Sequence, residues 1–424
     1  MPELSTPRGI RDIEPEEFAV IERIREAFFR AVHLYGFTPM EPASIEFLST
    51  LEAKSGPDIA REIYAFKDKA GREVALRFDL TVGLSRFVAS NKALKLPVKL
   101  ASFADMWRYD EPQMGRYRWF YQWDIEIFGV KDVTAEAEVL SFTNYFLKSL
   151  GLNVKLHVSD RRLVESYIRE KLGVQSEKEV LELIRALDKS AKKPKEELLA
   201  EYKKKGLSAE ALEATLELGR KRGPLRKEVP RLEEEGLRAD ELKQLADLCS
   251  TIGLTDALVL DLSIARGLDY YSGIVFEALL EGKQGLGSLA GGGRYDALLR
   301  AFGREDLAAV GVAGGVERTV LALGGSAPFL RRGFFIAYAQ LGLRGQAMGL
   351  TERLRAKGIP CETDLLGRGL GRQLEEAASK YEYAVILGER ELAQKYVTVR
   401  ELTTGRQESV ELRALEDKLV ALLG

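Results

Sequence analysis

From Trp119 to Phe128 the chain reads WFYQWDIEIF. Side chains along a strand point alternately to two faces. Trp119, Tyr121, Trp123, Ile125 and Ile127 therefore share one face, and Phe120, Gln122, Asp124, Glu126 and Phe128 share the other. A half-solvated antiparallel sheet would turn such a polar row to water. Phenylalanine at both ends of the row favours a second arrangement, a polar floor inside a pocket. Just upstream, VKLASFADMWRYD (98–110) reads as a partner strand, and only the short polar stretch EPQMGR (111–116) separates the two. An antiparallel pair is expected. Its turn carries Arg108, Arg116 and Arg118, with Glu111 and Gln113 between them. Planar guanidinium groups hold phosphate by paired hydrogen bonds. Taken singly, each arginine is as readily one half of a surface ion pair.

Outward from this hairpin, residues 15–35 place Phe18, Ile21, Ile24, Ala27, Phe28, Ala31 and Val32 at helical spacing, with Gly36 as the expected cap. FTPMEPASI (37–45) reads as an irregular strand broken by Pro39 and Pro42, and VALRF (74–78) as another strand. Residues 161–250 change character: 21 basic and 19 acidic residues with few β-branched ones predict short charged helices, an insertion in the surrounding pattern. Its KKK (203–205) and RKR (220–222) runs could touch RNA, but the interspersed glutamates favour solvated helix faces. Strand pattern resumes over 256–280. SLAGGGRYDALL (288–299) reads as a glycine-rich turn, and GVAGGVERTVLAL (311–323) as strand into helix. Beyond the linker-like GGSAPFLRRG (324–333), strands and helices alternate, which predicts a small α/β domain.

Composition sets the bounds. A chain of 424 residues has room for about three domains of roughly 150 residues each. With 63 Lys+Arg against 65 Asp+Glu, nucleic-acid contact must come from a local patch. The lone cysteines Cys249 and Cys361 exclude a zinc knuckle, a CxxC site and a disulfide scaffold, and fit a reducing compartment. Only His33 and His157 are present, so HExxH chemistry is excluded. No run approaches 18 apolar residues, and no apolar stretch follows the N-terminus. A cytoplasmic protein without a membrane span is expected. There is no GxxxxGK[ST], and no GxGxxG opening a helix after a first strand.

Two further segments stand out. ARGLDYYSG (265–273) sets Arg266, Asp269, Tyr270 and Tyr271 at a strand end, where a tight turn with buried tyrosines is the plain alternative. In GVAGGVER (311–318) the glycines let a backbone approach a ligand closely, ahead of Arg318.

Together these segments resemble class II aminoacyl-tRNA synthetases, and among them the histidyl-tRNA synthetases. PRGIRD (7–12) resembles that family's opening, and the helix ending in LYGF (34–37) with Pro42 resembles motif 1, its dimer element. Arg108 through Gly129 resembles motif 2, and GVAGGVER motif 3. ARGLDYYSG and AGGGRYD (290–296) resemble the histidine-specific signatures. The resemblance implies an α+β fold: an antiparallel sheet flanked by helices (1–160 and 251–325), a helical insertion (161–250) and a C-terminal α/β anticodon-binding domain (331–424). It implies ATP-dependent activation of L-histidine, transfer to tRNA(His), Mg²⁺ on the nucleotide and a homodimer. By position it gives Arg108, Glu111, Arg116 and Arg318 to ATP, with Arg108 and Arg266 as the catalytic pair on the α-phosphate. Asp79, Thr81, Gln122, Glu126, Arg266, Tyr270 and Tyr271 go to histidine. Asp79 in RFDLT (77–81) stands where bacterial enzymes carry Glu, which points to the archaeal and eukaryotic branch. Gly83 replaces a usual proline, and Tyr121 a frequent histidine. The rival within this resemblance is the non-catalytic, synthetase-like regulatory subunit of ATP phosphoribosyltransferase. Such paralogues usually lack the ARGLDYY-type segment and the C-terminal domain, both present here. An RNA-binding module on an inactive synthetase fold has no need of Arg108, Arg266 and Arg318 together.

Overall fold

The computed structural model describes residues 3–111, 115, 117–190, 193–264, 271–282, 285–325 and 331–423. The chain divides into two compact units, residues 1–326 and 327–424.

The first unit opens with helix α1 (Pro15–Leu34), whose proline sits in the first turn, where its missing amide costs nothing. Gly36, at φ +67, turns the chain out of it. The expected strand over 37–45 is two short pieces, β1 (Thr38–Pro39) and β2 (Ile45–Phe47). Next come α2 (Leu48–Ser55), β3 (Ala65–Lys67), β4 (Glu73–Leu76) and α3 (Thr81–Ser90). The long hairpin β5 (Val98–Trp107) and β6 (Trp119–Phe128) precedes α4 (Thr134–Ser149) and β7 (Val154–Asp160). Helices then occupy most of 161–251, interrupted by β8 (Arg222–Pro224). The unit closes with β9 (Leu258–Asp261), β10 (Ile274–Leu280), β11 (Ser288–Arg294), β12 (Ala309–Gly315) and the helix Val316–Ala322.

Nine strands form one sheet in the order β1-β5-β6-β12-β11-β10-β7-β9-β8. Every pairing from β5 through β7 is antiparallel. β5 and β6 pair over their whole length, from Val98↔Phe128 to Trp107↔Trp119, as the short polar loop requires. β2, β4 and β3 form a separate three-stranded sheet.

One face of the large sheet packs on α1 and α4. Trp123, Ile125 and Ile127 of β6 meet Phe28 of α1 and Phe142 and Phe146 of α4 in one buried cluster. The Trp123 and Phe146 rings stack edge to face with centroids 5.0 Å apart. Arg294 crosses from β11 to bind both carboxylate oxygens of Glu136 on α4, at 2.8 and 2.7 Å, and both side chains are buried.

Phe18 lies in α1 at the expected helical spacing and is exposed. One reading of the sequence is corrected. The glycine-rich stretch is not a turn: residues 288–294 form β11, in the middle of the sheet. Glycine weakens an isolated strand, but here the backbones pack too closely for anything else. A Cβ on Gly292 would lie 2.1 Å from the Gly311 carbonyl oxygen.

In the second unit, β13 (Arg331–Tyr338), β14 (Cys361–Thr363), β15 (Tyr381–Leu387), β16 (Tyr396–Glu401) and β17 (Gln407–Glu411) form a sheet of order β14-β13-β15-β16-β17. β13 runs parallel to both β14 and β15. Helices Arg344–Ala356 and Leu370–Ala378 make the crossovers, as the strand–helix alternation predicts.

Candidate active site

The polar face of β6 is buried, so it is a floor and not a solvent face. Gln122, Asp124 and Glu126 are all buried, although each carries polar atoms. Their room comes from small neighbours in register. On β12, Gly315, Ala313 and Gly311 stand opposite Gln122, Asp124 and Glu126. On β5, Ala104 and Ser102 stand opposite Gln122 and Asp124. Directly opposed residues share a face, so these small side chains leave a cleft above the row. It has about 100 Å³ of free volume and is lined by Asp79, Thr81, Arg108, Gln122, Glu126, Tyr271, Tyr295 and Gly311–Ala313.

Each lining group is held. Arg108 follows the last residue of β5; its Nε donates to the Phe78 carbonyl at 2.9 Å, and its Nη2 lies 3.4 Å from Gln122 Oε1. The Gln122 amide donates to Asp124 Oδ1 at 2.8 Å, which turns the amide oxygen toward Arg108. Asp124 Oδ2 accepts from the Thr81 hydroxyl at 3.2 Å, at the start of α3. Asp79 Oδ1 accepts the Val82 amide at 3.1 Å in the same turn. One end of the cleft thus gathers carboxylate and amide oxygens beside a guanidinium.

At the other end Tyr295 donates its hydroxyl to Glu126 Oε2 at 2.5 Å. Burial and the Glu126 carboxylate push the Tyr295 hydroxyl well above its ordinary pKa, so it remains a donor. Glu126 can lie flat against β12 only because residue 311 is glycine: a Cβ there would sit 1.5 Å from Glu126 Oε2.

The cleft therefore unites Asp79, Thr81, Arg108, Gln122, Glu126 and Tyr271, all six singled out in the sequence. Arg318 is elsewhere, in the helix after β12, donating to the Ser288 carbonyl at 2.7 Å. Glu111 is exposed and pairs with Arg8 at 2.9 Å. Arg116, Gln113, Arg266 and Tyr270 lie outside the described residues. Sequence reasoning gave no role to Tyr295, although it stands within AGGGRYD, or to Asp124 as the clamp on Gln122 and Thr81. Behind the floor, the buried Glu317 carboxylate accepts the Tyr121 amide at 2.9 Å, one residue past the last β6–β12 pair, Gln122↔Gly315. Burial raises its pKa to about 7.

An antiparallel sheet with a buried polar floor, and an arginine at the end of the first hairpin strand, is the architecture of the class II aminoacyl-tRNA synthetases. The comparisons with known proteins agree. The family model described as histidyl-tRNA synthetase matches residues 9–319, and the one described as anticodon binding domain matches 334–422. The chain belongs to the histidyl-tRNA synthetase family. It is 35% identical to a histidine–tRNA ligase of Pyrococcus horikoshii over 98% of both chains, and 33% identical to that of Thermococcus kodakarensis over the full length of both. These archaeal relatives agree with the branch indicated by Asp79. The crystal structure of histidyl-tRNA synthetase from Nostoc superposes with a TM-score of 0.85 at 24% identity, covering 99% of this chain and 100% of that one. A Bacillus halodurans structure titled as an ATP phosphoribosyltransferase regulatory subunit/histidyl-tRNA synthetase superposes at 0.77 and 23% identity, covering 92% of this chain and 99% of that one. At these identities the two structures bear on the fold alone.

Proposed function

We propose that the protein is a histidine–tRNA ligase that activates L-histidine with ATP in the cleft above β6 and passes it to tRNA(His). The observation that carries this reading is the Glu126–Tyr295 pair at the closed end of the floor. A neutral imidazole offers one N–H donor and one acceptor nitrogen. A carboxylate fixed by a permanent donor accepts that N–H, and the Tyr271 hydroxyl meets the other nitrogen. At the opposite end, Asp79, Thr81 and the Gln122 oxygen suit an ammonium group, and Arg108 suits the α-phosphate of ATP.

The reaction follows from that placement. The histidine carboxylate attacks the α-phosphorus, and the bond to the bridging oxygen breaks. Histidyl-adenylate forms and pyrophosphate leaves. Negative charge grows on the α-phosphate oxygens, opposite Arg108 and, by the family resemblance, Arg266. Removing one such fixed donor typically costs about a hundred- to a thousand-fold in rate. Arg116, Arg318 and Glu111 are assigned to the remainder of ATP, and Tyr270 to the histidine pocket, on the resemblance alone. In the second step the terminal ribose hydroxyl of tRNA attacks the adenylate carbonyl and AMP leaves. Mg²⁺, when bound, neutralises phosphate charge. Mg²⁺ keeps several waters and is usually held by one or two carboxylates together with the substrate phosphates.

On this reading residues 1–160 and 251–325 form the catalytic core, 161–250 an insertion, and 331–424 the part that holds the anticodon stem. The working site is the cytoplasm, where ATP and tRNA meet; no helix among the described residues is long and apolar enough to cross a membrane. A homodimer is supported by the three-stranded sheet. Phe47, Val74 and Phe66 lie in one row across it, and Ile45, Phe47 and Phe66 are exposed. Such an apolar face marks an association surface.

Glu126→Gln tests the specificity claim, since it keeps size and removes charge. A fall in kcat/KM for histidine of about a hundredfold or more, with KM for ATP nearly unchanged, is expected for a site built to hydrogen-bond its substrate. Unchanged histidine kinetics would reduce Glu126 to a structural partner of Tyr295.

A further inference from the structure

Arg77 is 1% exposed and does not line the cleft. A guanidinium taken out of water is costly unless its N–H groups are answered. Here all three nitrogens are engaged. Nε donates to the Asp105 carbonyl at 2.8 Å, and Nη1 to the Pro42 carbonyl at 2.6 Å. Nη2 pairs with Asp105 Oδ1 at 2.8 Å and with Glu41 Oε1 at 2.9 Å. The other Asp105 carboxylate oxygen accepts from the Trp119 indole at 3.1 Å. One planar group therefore ties the β1–β2 connection to β5 and, through Asp105, to the start of β6. A buried ion pair adds little net stability over apolar side chains of similar volume. What this one supplies is direction, because a rigid fork meets its partners in one geometry.

The backbone of Arg77 is fastened as well. Its amide donates to the Ser44 carbonyl at 3.0 Å, and its carbonyl accepts from the Trp107 amide at 3.1 Å. The next carbonyl in the chain, that of Phe78, receives Arg108 Nε. Both halves of that bond thus stand one position beyond residues that are joined to each other. The Nε bond fixes the plane of the Arg108 guanidinium, and so where its Nη groups point. The Phe120 ring, its centroid 5.1 Å from Arg108 Cζ, supports the same group. Asp79 is held separately, by the Val82 amide in its own turn.

We propose that Arg77 is a positioning residue for adenylate formation. It holds the Phe78 carbonyl and the end of β5 so that Arg108 meets the α-phosphate in the geometry the transition state requires. This rests on the ligase reading and deepens it, adding a residue to which the family resemblance gives no role. Misplacing a catalytic group by about 1 Å can cost a hundredfold in rate.

The test uses Arg77→Lys in the full-length chain, which keeps the charge and loses the planar fork. It is made alone and together with Arg108→Ala. Histidine-dependent ATP–pyrophosphate exchange is measured, with a thermal melt to establish that each variant is folded at the assay temperature. Arg77→Lys should lower kcat by roughly ten- to a hundredfold. KM for histidine should stay within about threefold of wild type, because Asp79 and Glu126 keep their own partners. In the Arg108→Ala background the same change should cost at most about threefold, since the group it positions is gone. A kcat within about twofold of wild type in Arg77→Lys overturns the proposal. An equal loss in both backgrounds also overturns it and makes Arg77 a general support of the fold, as does a loss confined to KM for histidine. If Arg77→Lys melts below the assay temperature, Asp105→Asn decides instead, because it keeps the carbonyl that accepts Nε and removes the charge facing Nη2. It should show the same fall in kcat, smaller in size and absent when residue 108 is alanine; wild-type kinetics in it overturn the proposal. Wild-type protein without histidine-dependent exchange removes the ligase reading and this proposal with it, whereas failure of the variants beside an active wild type removes this proposal alone.

Discussion

Gly311→Ala adds one methyl group, and the structure says where it lands. The new Cβ falls 1.5 Å from Glu126 Oε2, 2.3 Å from Glu126 Cδ and 2.8 Å from the Ile125 carbonyl oxygen. The carboxylate must leave its place or β12 must move off β6. The second course breaks a ladder that runs from Ala309↔Phe128 to Gly315↔Gln122, so the side chain gives way. Two losses follow. The imidazole N–H loses a charged acceptor, worth about 1.5–3 kcal/mol, and the buried Tyr295 hydroxyl loses its acceptor at a cost of about 1–3 kcal/mol in stability. At 1.36 kcal/mol for each factor of ten, the first loss alone lowers kcat/KM by roughly ten- to a hundredfold. A carboxylate turned into the cleft adds to it. The assay is histidine-dependent ATP–pyrophosphate exchange, with a thermal melt alongside. We expect kcat/KM for histidine to fall by at least about tenfold, KM for ATP to stay within about threefold because Arg108 is untouched, and Tm to drop by several degrees. A histidine kcat/KM within about twofold of wild type would show that Glu126 is not the group that reads the imidazole.

Two further outcomes follow from the same geometry. Glu317 has its pKa raised by burial to about 7, so the native state takes up its proton more readily than the unfolded chain does. The resulting stability is full below about pH 4.5 and is lost as pH rises through 7, on the order of 3 kcal/mol in all. Glu317→Gln keeps the acceptor for the Tyr121 amide, so wild type should lose stability relative to it between pH 5 and 8; a difference that does not change with pH would contradict this. Phe47→Lys places charge on the exposed face of the small sheet and should shift a sedimenting dimer toward monomer at micromolar concentration, whereas monomeric wild type under those conditions would remove the dimer altogether.

Much of this site is legible in the sequence because period-two alternation is a local property. WFYQWDIEIF separates its polar row from its aromatic row with no tertiary information, and the short loop before it dictates an antiparallel partner. What escapes local reading depends on distant backbone. Tyr295 reaches Glu126 across 169 positions of sequence, and nothing beside it reveals the contact. Residues 288–294 carry too many glycines to look like a strand; only the approach of the Gly311 carbonyl shows why side chains are excluded. Asp124 shares a face with Gln122 and Glu126, but its work as a clamp depends on Thr81, which α3 delivers. Phe18 keeps the helical spacing of the apolar stripe and is nevertheless exposed, since spacing alone does not set burial. His157 is used structurally: its Nδ1 pairs with Asp261 at 2.9 Å across β7 and β9.

If the cleft above β6 recognises histidine and couples it to ATP, ATP–pyrophosphate exchange by the purified full-length chain, run separately with each proteinogenic amino acid, will show it. Exchange with histidine, and at most trace exchange with any other, is the predicted result. Exchange driven by a different amino acid, or by none, would contradict it.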